Sequence, residues 1–223
     1  FQIPPHRQAL PVSGNFMRPY RTMSPNIMSN KISQYLNFIK TFCPDMPEQE
    51  LYTFSTFLTV KEFNKKEVIF STGQVQKEIG FVTKGLVRSF FTDKNGKEKT
   101  VRFHFENAFV THYVAFITQQ PSKYNYICLE PTTAIMLSYE NMHRAYNTLP
   151  SIQKYGRLMA EEILKMQQYR IESFLFLTAE ERYLDFLQKN PHLINRVSLS
   201  QLCSYLGIER QTLTRIRQKL AGK

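Results

Sequence analysis

VSLSQLCSYLGIERQTLTRIRQKLAG, residues 197–222, decides how the chain is read. Ser198 or Ser200 can cap a short helix whose apolar face is Leu199, Leu202 and Leu206. Gly207 supplies the positive φ that ends this helix and turns the chain. A second helix follows, with Leu213, Ile216 and Leu220 spaced by three and four. Its opposite face carries Arg210, Gln211, Thr214, Arg215 and Arg217. These side chains can hydrogen-bond base edges and phosphates. The segment predicts a helix-turn-helix, and with it double-stranded DNA as the partner.

Charge agrees with that partner. The chain carries 29 Lys+Arg against 18 Asp+Glu, a net +11. Residues 191–223 hold six Lys/Arg, Lys219 among them, and one acid. A local basic excess of this kind is the footprint of a phosphate-binding surface.

At 223 residues, one large or two modest domains are expected. Cys43, Cys128 and Cys203 lie far apart and form no Cys-x-x-Cys pair, which suggests a reducing cytoplasm. Three thiols cannot supply a four-cysteine iron–sulfur site, and no cofactor is expected. No run of about 18 apolar residues is present, so no membrane partner is expected. Residues 1–27 contain five prolines, three arginines and no acid, without helical or strand period. They read as a disordered tail, or as translated sequence upstream of a start at Met28.

From Asn30 a helical pattern places Ile32, Tyr35, Leu36 and Ile39 on one face. A second helix after Pro47 runs through Leu51, Phe54, Phe57 and Leu58. The period then changes to two. Strands are expected at 68–70, 79–82, 86–91, 99–105, 126–129 and 133–138, with a hairpin turn at Asn95-Gly96. In 99–105, Val101, Phe103 and Phe105 alternate with Thr100, Arg102 and His104. Many short strands with frequent turns indicate a small antiparallel barrel or jelly roll. A long helix follows from Pro150 to about Ser173, with Ile152, Met159 and Met166 recurring every seven residues and Ile163 nearby. That seam suits pairing between two subunits, or packing onto the chain's own barrel. Thr178 and Glu181 fit a capping box opening a further helix.

The order helix, β-roll, long helix, helix-turn-helix resembles the Crp/Fnr superfamily of bacterial transcription regulators. The likeness runs from about Met28 to the C-terminus and is strongest over Gly207-Ile208-Glu209-Arg210-Gln211-Thr212-Leu213-Thr214-Arg215-Ile216. It implies an α+β chain with a β-roll sensor at 28–148, a dimerisation helix at 149–174 and a DNA-binding head at 175–223. It implies that Arg210, Gln211 and Arg215 read bases, with Gln211 where many members have Glu. Ser198 and Thr212 match phosphate-contacting positions, and Ser200 and Gln201 could add backbone contacts. A homodimer reading a palindrome is implied, with RNA polymerase and a small-molecule effector as further partners.

The chain also departs from that pattern. Cyclic-nucleotide-binding members use a Gly-Glu pair for the ribose and an Arg-Ser or Arg-Thr pair for the phosphate. Ungapped alignment from Leu137-Ser138-Tyr139 puts Thr111-His112 and Ser122-Lys123 at those places. cAMP is therefore not the expected ligand. Candidate lining for another effector comprises Phe103, Phe109, His112, Tyr113, Lys123 and Tyr124. The sequence given ends directly after the second helix, so a reduced or absent wing is expected. The five histidines are scattered, and no Gly-x-Ser-x-Gly or glycine-rich phosphate loop occurs, so neither a metal site nor an enzyme is expected. The competing reading is a ligand-binding module whose helix-turn-helix serves protein contacts.

Overall fold

The computed structural model describes residues 25–222. The proposed tail therefore lies outside the described residues up to position 24. Its boundary was set too late, because Pro25 already opens helix α1 (Pro25–Phe42); proline suits a first helical turn. Tyr35 and Ile39 of α1 are buried, as their spacing predicts.

Helix α2 (Glu48–Ser55) is shorter than its apolar pattern suggests. The Thr56 hydroxyl donates back to the Thr53 carbonyl at 2.7 Å, and the chain then extends. Leu58 belongs to strand β1 (Leu58–Phe63), opposite Leu137 of β8 (Thr132–Ser138). The intervening strands are β2 (Val68–Phe70), β3 (Glu78–Lys84), β4 (Val87–Thr92), β5 (Glu98–His104), β6 (Phe109–Val110) and β7 (Asn125–Cys128). They form two antiparallel four-stranded sheets, β1-β8-β3-β6 and β2-β7-β4-β5. Their facing sides enclose a core of Phe63, Val82, Val87, Val110, Tyr126 and Met136. The fold class is the expected one: an antiparallel β-roll, a long helix and a helix-turn-helix head.

Two short helices had no reading in the sequence: α3 (Tyr113–Thr118), and α4 (Tyr139–Thr148), which is capped by Ser138. The β4–β5 hairpin closes as the Asn-Gly pair suggests. Gly96 N–H donates to the Asp93 carbonyl at 3.0 Å, and Gly96 takes a φ of +75°.

The alternation in β5 is real, but its apolar side does not face the roll core. His104 points inward and packs, tilted, against Tyr126 with 5.6 Å between ring centres. Phe103 and Phe105 point outward and are covered by the C-terminal head, Phe103 against Tyr205 and Phe105 against His192.

Helix α5 (Pro150–Phe176) is 27 residues long, three residues beyond the expected end. Ile152, Met159 and Ile163, assigned to a seam between subunits, are instead only 1–8% exposed, with Ile152 and Met159 in the core formed with α1, α2 and α4. Met166 is exposed, as are Leu164, Ile171 and Leu175. A helix this long presents two apolar faces, and the seven-residue period alone does not say which one leaves the protomer.

Candidate nucleic-acid interface

The head begins with α6 (Ala179–Lys189), whose capping box joins Thr178 and Glu181 as expected. Helix α7 (Leu199–Leu206) is capped by Ser198, and its Gln201 side chain accepts from the Ser198 N–H at 3.0 Å. Gly207 ends α7 at a φ of +66°. A Cβ there would lie 2.7 Å from the Phe174 ring, so both conformation and space call for glycine. Helix α8 (Arg210–Ala221) follows. Leu213 and Ile216 bury against Leu202, Leu206, Tyr183 and Phe186.

That burial fixes the rotation of α8. Leu213 and Ile216 face inward, so at about 100° per residue Arg210, Gln211, Thr214 and Arg215 fall on the outward side. All four are exposed. From Arg210 to Gln218 this face is about 12 Å long, comparable with the width of a B-DNA major groove. Thr214 is partly engaged, its hydroxyl donating to the Arg210 carbonyl at 3.1 Å. Ser200 is exposed at the start of α7, and Thr212 is half-buried. Ser198 and Gln201 act first as helix caps, although the Ser198 O–H and the Gln201 amide N–H₂ remain available to a phosphate. Arg217 and Lys219 lean toward α6: Arg217 Nε donates to the Tyr183 hydroxyl at 3.1 Å, and Lys219 pairs with Glu180 at 2.7 Å.

Arginines outside the motif hold the motif in place. Arg182 donates to the Leu206 carbonyl at 3.0 Å and to the Leu177 carbonyl at 2.6 Å, which ties the end of α7 to the α5–α6 junction. Arg170 of α5 donates to the Tyr205 carbonyl and lies over the Tyr205 ring at 3.9 Å. The dimer-helix candidate thus touches the turn of the helix-turn-helix directly.

Arg196 was counted in the sequence only as part of the basic excess, yet it faces the roll. It pairs with Glu106 at 2.9 Å and Glu130 at 2.8 Å, and it donates to the Gly85 carbonyl at 3.1 Å. Burial works against the ionised Glu106, but the Arg196 guanidinium and the Gly85 N–H outweigh it and hold the carboxyl down at about 2. No spacing in the sequence signalled this cluster, because its members come from four separate segments. Ser204 of α7 adds a second tie. Its hydroxyl accepts from Thr100 N–H at 2.8 Å and donates to the Glu98 carbonyl at 3.0 Å, covering the free edge of β5.

The six residues proposed to line an effector pocket are not brought together. Phe103 packs against the head, and Phe109 and Tyr113 border a cavity beneath α5. His112 and Tyr124 pack against each other, tilted, with 4.5 Å between ring centres near Lys123, where a nucleotide signature would stand. Burial, then the Lys123 charge, lowers the His112 pKa. Gln76, 2% exposed, braces this segment. Its amide donates to the Thr111 hydroxyl at 3.0 Å and accepts from the His112 N–H at 2.9 Å.

Among the described residues, no helix is long and apolar enough to cross a membrane, and no group of three His, Cys, Asp or Glu could hold a metal ion.

Comparison with known proteins supports this architecture. Residues 60–148 match the cyclic nucleotide-binding domain family. No curated protein sequence matched. FixK2 from Bradyrhizobium japonicum is 18% identical, with 74% of this chain and 85% of that one covered at a TM-score of 0.63. The c-di-GMP responsive global regulator CLP of Xanthomonas campestris is also 18% identical, with 79% and 92% covered at 0.63. For the catabolite activator protein of Thermus thermophilus, the figures are 18%, 80%, 85% and 0.51. Residues 60–148 thus form a domain of the cyclic nucleotide-binding type, and the described chain shares its fold with FixK2 and CLP.

Proposed function

We propose that the chain is a homodimeric, sequence-specific DNA-binding regulator of transcription that reads a palindromic site with helix α8. The supporting observation is the rotation of α8, which buries Leu213 and Ile216 and leaves Arg210, Gln211 and Arg215 outward together. Arginine suits guanine O6 and N7, and the Gln211 amide suits adenine N6 and N7. The described chain as a whole is similar in fold to FixK2 and to the global regulator CLP. Dimerisation runs along the exposed face of α5 through Leu164, Ile171 and Leu175, which recur at seven and four residues.

The test is selection of binding sites from random duplex DNA with the purified protein. Enrichment of a palindrome whose half-sites lie about one helical turn apart is the expected result. Affinity should fall with salt, with a log–log slope of about −4 or steeper. No enrichment, or a flat salt response, would assign the head to protein contacts instead. The effector in this reading is not cAMP, since Gln76 holds the segment that would have to cradle the ribose and phosphate. Millimolar cAMP is expected to leave both Tm and operator affinity unchanged.

A further inference from the structure

Arg102 has no anionic partner inside the protomer. It lies on β5, where Ser89 of β4 stands opposite it, and Tyr126 of β7 stands opposite Ser89. Residues paired in this way share a face of the sheet, and Tyr126 belongs to the core between the two sheets. The row Arg102, Ser89, Tyr126 therefore runs along the inner side of the roll. Arg102 is half-buried, and among the described residues its one side-chain hydrogen bond runs from Nη2 to the Met166 sulfur of α5 at 2.8 Å. A thioether is a weak acceptor. Burial works against the Arg102 charge, and a guanidinium drawn out of water without an anion is costly.

The same row ends in a second unmatched donor. Tyr126 is 2% exposed, with its ring against Phe70 and His104, and among the described residues its hydroxyl makes no hydrogen bond. Arg102 and Tyr126 are close enough for each to act on the other's ionisation. Ser89 between them is already committed: its hydroxyl donates to the Arg102 carbonyl at 3.2 Å and meets His104 Nε2 at 3.0 Å. Burial, then the Arg102 charge, pushes the His104 pKa down to about 3, so that ring adds no charge. Lys99, further along β5 opposite Phe91, has Asp93 at 3.7 Å. One uncompensated positive charge remains. Apolar groups stand beside it: Met166, and Phe91 with its ring 6.4 Å from that of Tyr124.

We infer that this row binds a monocarboxylate with a short apolar body, the carboxylate held by the Arg102 guanidinium and the Tyr126 hydroxyl and the body set against Met166 and Phe91. A carboxylate brings one negative charge and two acceptor oxygens in a plane, which match a single guanidinium fork. A phosphate dianion would leave half of its charge unpaired in a partly dry place. Tyr205 of the head also acts on the Arg102 charge, so an occupant would stand where roll, α5 and head meet. The site does not depend on whether α8 reads DNA.

The probes are butyrate and butyramide, which differ in charge at nearly constant shape. Full-length protein labelled with ¹³C at the methionine methyls is titrated with each at constant ionic strength and without DNA. A saturable shift of the Met166 methyl is expected with butyrate, with Met142 and Met159 unmoved. Butyrate should bind about tenfold more tightly than butyramide. Arg102→Gln should abolish that preference, and Tyr126→Phe should weaken butyrate about threefold while leaving butyramide unchanged. Arg102 has no acid to lose, so the Arg102→Gln variant should keep the wild-type Tm. Arg102→Lys, which retains the charge without the fork, should bind butyrate with intermediate affinity. A Met166 methyl that does not shift saturably, shifts confined to other methionines, or equal affinity for the two probes would overturn the site. Undiminished butyrate binding by Arg102→Gln would overturn the role of the guanidinium, and undiminished binding by Tyr126→Phe that of the hydroxyl.

Discussion

Arg196, Arg210 and Arg215 stand within 20 residues of one another, and composition counts them alike. Their surroundings separate them. Arg196 is locked to Glu106, Glu130 and the Gly85 carbonyl, so its charge is neutralised inside the protomer. Arg210 and Arg215 are exposed on α8. Arg210→Ala and Arg215→Ala should each weaken binding to the selected operator by about 1–3 kcal/mol and relax the preference at one base position, as read by mobility-shift titration. Arg217→Ala should cost less and act evenly across sequences, because that side chain is drawn toward Tyr183. Arg196→Ala should leave base preference intact and lower stability by about 1–2 kcal/mol, a figure discounted because its partners are partly solvent-exposed. The Glu106 carboxyl titrates at about 2 in the folded chain against an ordinary 4.5. Its contribution is therefore complete above pH 4.5 and is lost as pH falls from 4.5 toward 2. Glu106→Gln should flatten that part of a Tm-versus-pH curve.

At the level of elements, periodicity told what each segment would become more surely than where it would go. The strand over Glu98–His104 was legible from the alternation of Val101, Phe103 and Phe105, but its apolar side meets the head instead of the roll interior. A period of two says that one side is buried, and it is silent about the partner. The seven-residue recurrence in α5 likewise announced a long helix, while Ile152 and Met159 turned out to pack inside the protomer. Replacing Leu164 and Ile171 together with glutamate should give monomers by light scattering and remove cooperative palindrome binding; the same change at Ile152 should instead unfold the roll. The turn at Gly207 was legible because glycine, helix end and chain reversal coincide there. Gly207→Val should destabilise the head by about 1–3 kcal/mol, since the residue is left-handed and faces the Phe174 ring. Helix α4 escaped notice because it starts at Tyr139 directly after the last residue of β8, with Ser138 serving both strand and cap, and α3 because its six residues carry no side-chain cap.

On the scale of the whole molecule, α5 spans the roll core at one end and the helix-turn-helix at the other, through Arg170, Tyr205 and Phe174. The roll in turn is closed by the head. Strand β5 is the last in its sheet, and Ser204 occupies its free edge while Tyr205 and His192 cover its outer side. This sets a limit on dissection. The roll and head are not interchangeable modules: a fragment ending near Leu177 would bare Leu86, Phe103, Phe105 and Leu129 beside an unpaired strand, a combination that templates aggregation. Such a fragment should precipitate unless those positions are made polar. A chimera grafting a foreign head onto this roll would have to bring its own cover for β5, so the exchange of heads between chains of this shape is governed by the back of the head as well as by its outward helix.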